Sequence, residues 1–284
     1  MRIIFITGVS TGIGRAALAH YINKNYHVIG TVRSSQDKEI LEKEFPKNTN
    51  FLCFDVRDSE KMESEILGIL PFIKQHGLAA LINNAGIAVA GPLQYIPEDD
   101  FEKQIDVNVK SVRRITNHLL PYLGMNHSYP PGRIINISSV SGLIVSPFMG
   151  AYSVSKYALE AMSDAYRREL YGFGIKVIVI EPGPIKTEIW DKNKGTLKPF
   201  ENTEYGSMLK NADDIMDNAN ATGLPVDAVI KYLDLALEKK NPKTRYIVHK
   251  NTFLIKLIAK IIPDTWVDKM AYKTLSKGEK HRMV

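Results

Sequence analysis

A single cysteine, Cys53, stands in 284 residues, which excludes a disulfide framework and any zinc site built on thiolates. The seven histidines are scattered without ligand spacing, so no metal is expected. No apolar run approaches the roughly 20 residues that span a bilayer. The opening Met1-Arg-Ile-Ile-Phe-Ile-Thr7 is too short in its apolar stretch to read as a secretory leader, and a cytoplasmic protein is expected. Gly and Pro, 19 and 14 residues, are too few for a collagen-like chain, and 44% hydrophobic content is too high for disorder. Internal repeats and low-complexity tracts are absent too.

What is present is an ordinary globular composition with its positive charge unevenly spread. The net charge is +6, yet from Lys231 to Val284 there are 13 Lys/Arg against 5 Asp/Glu, and before that 24 against 26. The basic excess therefore belongs to the last fifth of the chain. It carries no nucleic-acid-binding motif, so no nucleic-acid partner is expected.

Short β-branched runs alternate with helical stretches, the pattern of βαβ units. Strands are expected at Ile3–Thr7, His27–Val32, Asn50–Asp55, Ala80–Asn83, Ile134–Ser138, Lys176–Glu181 and Tyr246–Val248. Helices fill the gaps, notably Ile13–Asn23, Ser59–His76, Glu98–Leu123 and Tyr152–Gly172. The strands are near-continuous apolar runs, as in sheets covered on both faces. The expected fold is α/β: a Rossmann-type doubly wound parallel sheet with helices on both faces, in a single domain. Residues 1–250 would form a dinucleotide-binding catalytic domain, within which 187–223, polar and loosely patterned, would be a substrate lid or loop. Residues 251–284 would be a basic amphipathic extension. In it, Lys256 and Lys260 stand one turn apart on an otherwise apolar cylinder, so 252–272 would either pack on the domain or make peripheral contact with a membrane.

The first strand runs into Thr7-Gly8-Val9-Ser10-Thr11-Gly12-Ile13-Gly14, with a helix directly behind it. Glycines at such a turn let backbone N–H groups approach a pyrophosphate that also sits on the helix N-terminus. Gly8, Ser10, Thr11, Gly12, Ile13 and Gly14 are therefore candidate cofactor contacts. The second strand ends Thr31-Val32-Arg33-Ser34, with no carboxylate to bond ribose hydroxyls. Arg33 would instead grip a 2′-phosphate, which favours NADP(H), with NAD(H) the alternative. Tyr152 and Lys156 stand at i and i+4 on one helix face, where an ammonium would lower the Tyr pKa toward the range useful for proton transfer.

These segments, with Asn83-Asn84-Ala85-Gly86, Asn108 in Val-Asn-Val, Ser138-Ser139 and Pro182-Gly183-Pro-Ile-Lys-Thr187, resemble the classical short-chain dehydrogenase/reductase family over roughly Met1 to Val248. Tyr152–Leu170 is most similar to the branch with retinol and hydroxysteroid dehydrogenases. The resemblance implies a catalytic set of Asn108, Ser139, Tyr152 and Lys156. In it Tyr152 is the general acid/base, Ser139 polarises the carbonyl, Lys156 bonds the nicotinamide ribose and Asn108 holds a water. It implies further cofactor contacts at Asp55, Val56, Asn83, Ala85, Gly86, Pro182, Gly183, Ile185 and Thr187, besides Tyr152 and Lys156, with stabilisation of the central sheet the alternative role for Asn83, and assembly as a homodimer or homotetramer. The substrate would lie against Ser139, Leu143, Phe148, Met149, Tyr152 and Trp190. That wall is largely apolar and shows no Arg for a carboxylate, so an apolar ketone, aldehyde or alcohol of steroid, retinoid or lipid type is expected. The alternatives are NAD(H)-dependent oxidation of a small hydroxy acid, or a catalytically silent sensor of nucleotide redox state.

Overall fold

The computed structural model describes residues 1–187 and 195–276. Seven strands form one all-parallel sheet in the order β3-β2-β1-β4-β5-β6-β7: β1 (Ile3–Ile6), β2 (His27–Val32), β3 (Thr49–Cys53), β4 (Ala80–Asn83), β5 (Arg133–Ile137), β6 (Lys176–Pro182) and β7 (Arg245–Val248). Successive side chains of a strand serve opposite faces. Ile4 and Ile6 join a core with α1 (Gly12–Asn23), α2 (Ser35–Glu44) and α8 (Asp227–Glu238), while Ile3 and Phe5 join one with α3 (Ser59–His76) and α5 (Ser111–Leu119). Strand order reverses between β1 and β4, and a crevice at that switch point, outside the carboxyl ends of the strands, is where such sheets bind ligands.

Three elements differ from expectation. The single helix expected over Glu98–Leu123 is α4 (Glu98–Ile105), a π turn at Asp106–Lys110, α5, and a 3₁₀ turn at Leu120–Leu123. The π turn holds Asn108, and π turns of this kind recur at functional sites. The segment 187–223, expected as a lid or loop, contains α7 (Gly206–Thr222). Leu209 and Ala212 of α7 are buried with Ala90 and Leu197, with Phe148, Met149 and Phe200 packed against them. That tertiary contact stabilises a helix whose own sequence is weakly patterned. The helix expected from Tyr152 begins two residues earlier, as α6 (Gly150–Glu169). Two short helices, α9 (Thr252–Lys260) and α10 (Asp264–Leu275), follow β7.

Candidate active site

The turn after β1 is shaped by glycine. Gly8 and Gly12 have positive φ, and a Cβ on Gly14 would lie 2.0 Å from the Gly8 carbonyl oxygen. The N-cap of α1, Thr11, makes no side-chain capping bond, and the first turn holds no acidic residue. The helix end is thus a positive, open cradle formed by Ser10, Thr11, Gly12 and Ile13. The Thr7 hydroxyl accepts from the backbone N–H groups of Asn84 and Ala85, both at 2.9 Å, and the Asn84 amide donates to the carbonyls of Thr7 and Gly8. This ties the Gly-rich turn to the end of β4 and sets Ala85 and Gly86 beside it. On the far side Thr187 approaches Gly12, and Pro182, Gly183 and Ile185 follow β6. These residues fit an extended phosphate-bearing dinucleotide.

Asn83 is turned into the core instead. Its amide donates to Asn136 at 2.8 Å and to Thr116 at 3.2 Å, and Asn136 in turn donates to Ser163. Its side chain therefore braces the sheet rather than lining the crevice. Asp55 also has a partner of its own: the Arg57 guanidinium and backbone N–H hold its carboxylate, and that pairing keeps it below the usual range for an aspartate. Val56 is partly buried beside it. Arg33 is exposed at the end of β2. Arg15, the other cation near the turn, pairs with Glu44 of α2.

The second group of residues meets across β5. Lys156 is buried and donates to the Ile137 carbonyl at 2.9 Å, its Nζ 5.6 Å from the centre of the Tyr152 ring. The Ser139 hydroxyl is near-buried, accepts from Ser141 N–H and donates to the Pro182 carbonyl. Desolvation pushes the Tyr152 phenol up to about 12, against a hydrogen bond with Ser139 that pulls it down. The lowered Tyr pKa expected from the Tyr-x-x-x-Lys spacing is therefore not found: burial outweighs the neighbours. The same burial brings the Lys156 ammonium down to about 8, with the Glu160 carboxylate opposing it.

Asn108 is fully buried, and both ends of its amide are hydrogen-bonded. Its amide accepts from Ile87 N–H at 2.9 Å and donates to the Ile87 carbonyl and to the Ser155 hydroxyl, which donates to the Tyr152 carbonyl at 2.7 Å. Gln104, buried one turn earlier, bonds Ile87 and Val89 in the same way. Asn108 thus fixes the entry of α6 and with it Tyr152. Sequence reading passed over Gln104 and Ser155, although the i,i+4 step from Gln104 to Asn108 was there to be seen.

A further cluster was missed altogether. Glu160, one turn beyond Lys156, and Glu181 on β6 are buried around Arg245 of β7, whose Nε is 3.0 Å from Glu160 and 3.4 Å from Glu181, while its Nη2 is 2.9 Å from Asp164. Burial and the Glu160 charge push the Glu181 carboxyl up to about 7. Of the expected substrate contacts, Phe148 and Met149 pack with the α7 cluster and Leu143 is partly buried after the Ser139 turn. Trp190 lies outside the described residues.

The family model for short chain dehydrogenase matches residues 2–197. The chain is 39% identical over 278 residues to an NADPH-dependent 3-dehydrocapnine reductase of Ornithobacterium rhinotracheale, covering 98% of each. It is 30% identical over 292 residues to retinol dehydrogenase 16 of Mus musculus, covering 98% of this chain and 90% of that protein. Among solved structures, a short-chain dehydrogenase from Streptomyces avermitilis matches with a TM-score of 0.78 at 23% identity over 98% of each chain, a likeness of fold. ElxO with NADP bound matches with a TM-score of 0.72 at 25% identity, over 89% of this chain and 99% of that one.

Proposed function

The chain belongs to the short-chain dehydrogenase/reductase family, and on that premise we propose that this oxidoreductase reduces an apolar ketone or aldehyde with NADPH, Tyr152 giving the proton. The reverse path would oxidise the corresponding alcohol. The observation that carries the reading is the gathering of half-buried Tyr152 with buried Ser139 and Lys156 beside the Gly-rich crevice. When bound, the nicotinamide supplies the hydride. The chain's own residues supply position and the proton.

A phenol held near 12 is fully protonated at neutral pH, which suits a donor to the oxygen of a carbonyl as negative charge builds there. The Ser139 hydroxyl, turned from its long bond to the Pro182 carbonyl, would be the second donor to that oxygen. Lys156, cationic below about pH 8, stabilises the phenolate left when the proton has gone. Raising the pH through about 8 removes that positive charge, so kcat/KM for reduction is expected to fall above it. A flat profile to pH 9.5, on the order of a unit and a half past that pKa, would remove Lys156 charge from the mechanism.

The cofactor preference is supported by Arg33, by the absence of a carboxylate at the end of β2, and by the NADPH-dependent relative. Arg33→Asp is expected to weaken NADPH binding by about tenfold or more, since a charge-assisted contact to phosphate is lost, and to spare or improve NADH. Fluorescence titration with both cofactors checks this, and unchanged NADPH affinity would take Arg33 out of the site. The apolar substrate class is supported by Leu143, Phe148 and Met149, and by a relative named for retinol. Segment 187–223 would serve as its cover through Leu197, Leu209 and Ala212. Nicotinamide absorbance with NADPH or NADH against ketones, aldehydes, steroids, retinoids and hydroxy acids tests the whole reading. Turnover confined to hydroxy acids with NAD(H) would overturn it.

A further inference from the structure

Helices α9 and α10 present the same face twice. Phe253, Lys256, Leu257 and Lys260 stand at i, i+3, i+4 and i+7, and Trp266, Lys269, Met270 and Lys273 repeat that spacing and order. Each helix therefore shows aromatic, lysine, apolar, lysine along one side. Phe253 is 77% exposed, Trp266 64% and Ile261, between the helices, 72%. No residue of α9 is buried, although seven of its nine residues, Thr252 and Phe253 to Lys260 taken with the lysines set aside, are Thr or apolar. Water is a poor solvent for such a surface. The carboxylates of α10, Asp264 and Asp268, fall on the flank away from Trp266 and Lys269 at 100° per residue.

We infer that α9 and α10 form a docking surface for an anionic lipid bilayer, with Phe253, Ile261 and Trp266 entering the interface and Lys256, Lys260, Lys269 and Lys273 meeting the headgroups. The occupant is argued from charge and chemistry. The cores of protein–protein interfaces are depleted in lysine, whereas helices lying in a membrane surface carry lysines beside aromatic and aliphatic residues. A negative leaflet adds attraction for each lysine near it. Among the described residues no helix is long and apolar enough to cross a membrane, so the surface would lie on the bilayer.

The surface is continuous with the cover of the candidate site. Leu275, closing α10, is buried with Leu197, Leu209 and Ala212, and its carbonyl accepts from the Asn211 amide at 2.6 Å. Delivery of substrate from the lipid rests on the apolar-substrate reading above, whereas docking itself does not.

The full-length protein is sedimented with vesicles of phosphatidylglycerol in phosphatidylcholine, and with phosphatidylcholine alone. Selective binding to the anionic vesicles is expected, released when salt rises from about 0.1 M to about 1 M and the screening length shrinks from about 10 Å to about 3 Å. Phe253→Ser with Trp266→Ser, and separately Lys269→Glu with Lys273→Glu, which spares Lys256 and Lys260 because their charges act on buried Glu181, should each weaken binding by about tenfold or more. Far-UV circular dichroism and NADPH binding monitor folding of both variants. Because vesicle binding is read without turnover, loss of activity and loss of docking are told apart. No vesicle binding by the parent protein, or binding unchanged in both variants, overturns the proposal. So does a change from dimer to monomer in Phe253→Ser with Trp266→Ser when the parent ignores vesicles, which would make the face a contact between copies.

Discussion

Tyr152→Phe is expected to lower turnover by about 10²- to 10⁴-fold, the usual contribution of a positioned proton donor, while NADPH still binds. The substitution removes one oxygen and keeps the ring. Lys156 retains its bond to the Ile137 carbonyl, and the entry of α6 stays fixed by Asn108 and Ser155, which hold the Tyr152 carbonyl rather than its hydroxyl. What disappears is the phenol proton and its hydrogen bond with Ser139. Steady-state rates with NADPH and an accepted carbonyl substrate, beside a cofactor titration, check the split. A rate near that of the parent would reject Tyr152 as the donor, and loss of NADPH binding would point to collapse of the site instead.

Arg245→Met should destabilise the protein by about 3 kcal/mol or more at neutral pH, because it strands buried carboxylates without their cation. Glu160 and Glu181 are both buried, and both Glu181 oxygens lack a hydrogen bond, so Arg245 is their chief compensation. The effect carries a pH signature. The Glu181 carboxyl is raised to about 7 from an ordinary 4.5. Its contribution to stability is therefore fully present below about 4.5 and declines as pH rises through about 7, where the folded state must also ionise. Without Arg245 that carboxyl rises further, so the variant should lose less stability at pH 5 than at pH 8. Glu181→Gln added to Arg245→Met should recover part of the loss at pH 8. Denaturant unfolding at the two pH values measures this, and a loss equal at both would refute the ionic account.

The strands and the crevice were readable in the sequence because their signals are local. The runs Ile3–Ile6 and Ala80–Asn83 are apolar over one strand length, Gly8, Gly12 and Gly14 fall within one turn, and Tyr152 and Lys156 within one helical step. Chain-local chemistry of that kind needs no partner to be recognised. The π turn around Asn108 was not readable, since its side chain is satisfied by Ile87 and Ser155, the latter 47 residues away. Helix α7 was not readable either, because its packing against Ala90 and Leu197, not its periodicity, distinguishes it from a loop.

By itself, then, the sequence determined the alternation of strands and helices, the Gly-rich turn after β1 and the pairing of Tyr152 with Lys156 on one helix face. The tertiary structure chose between the two roles open to Asn83, turning it to the core, and alone decided that Arg245 meets Glu160 across 85 residues. It also decided that the Tyr152 phenol titrates higher rather than lower. Periodicity and spacing record which residues are neighbours along the chain, whereas desolvation and long-range charge depend on what the folded chain brings around a group and on how much water it takes away.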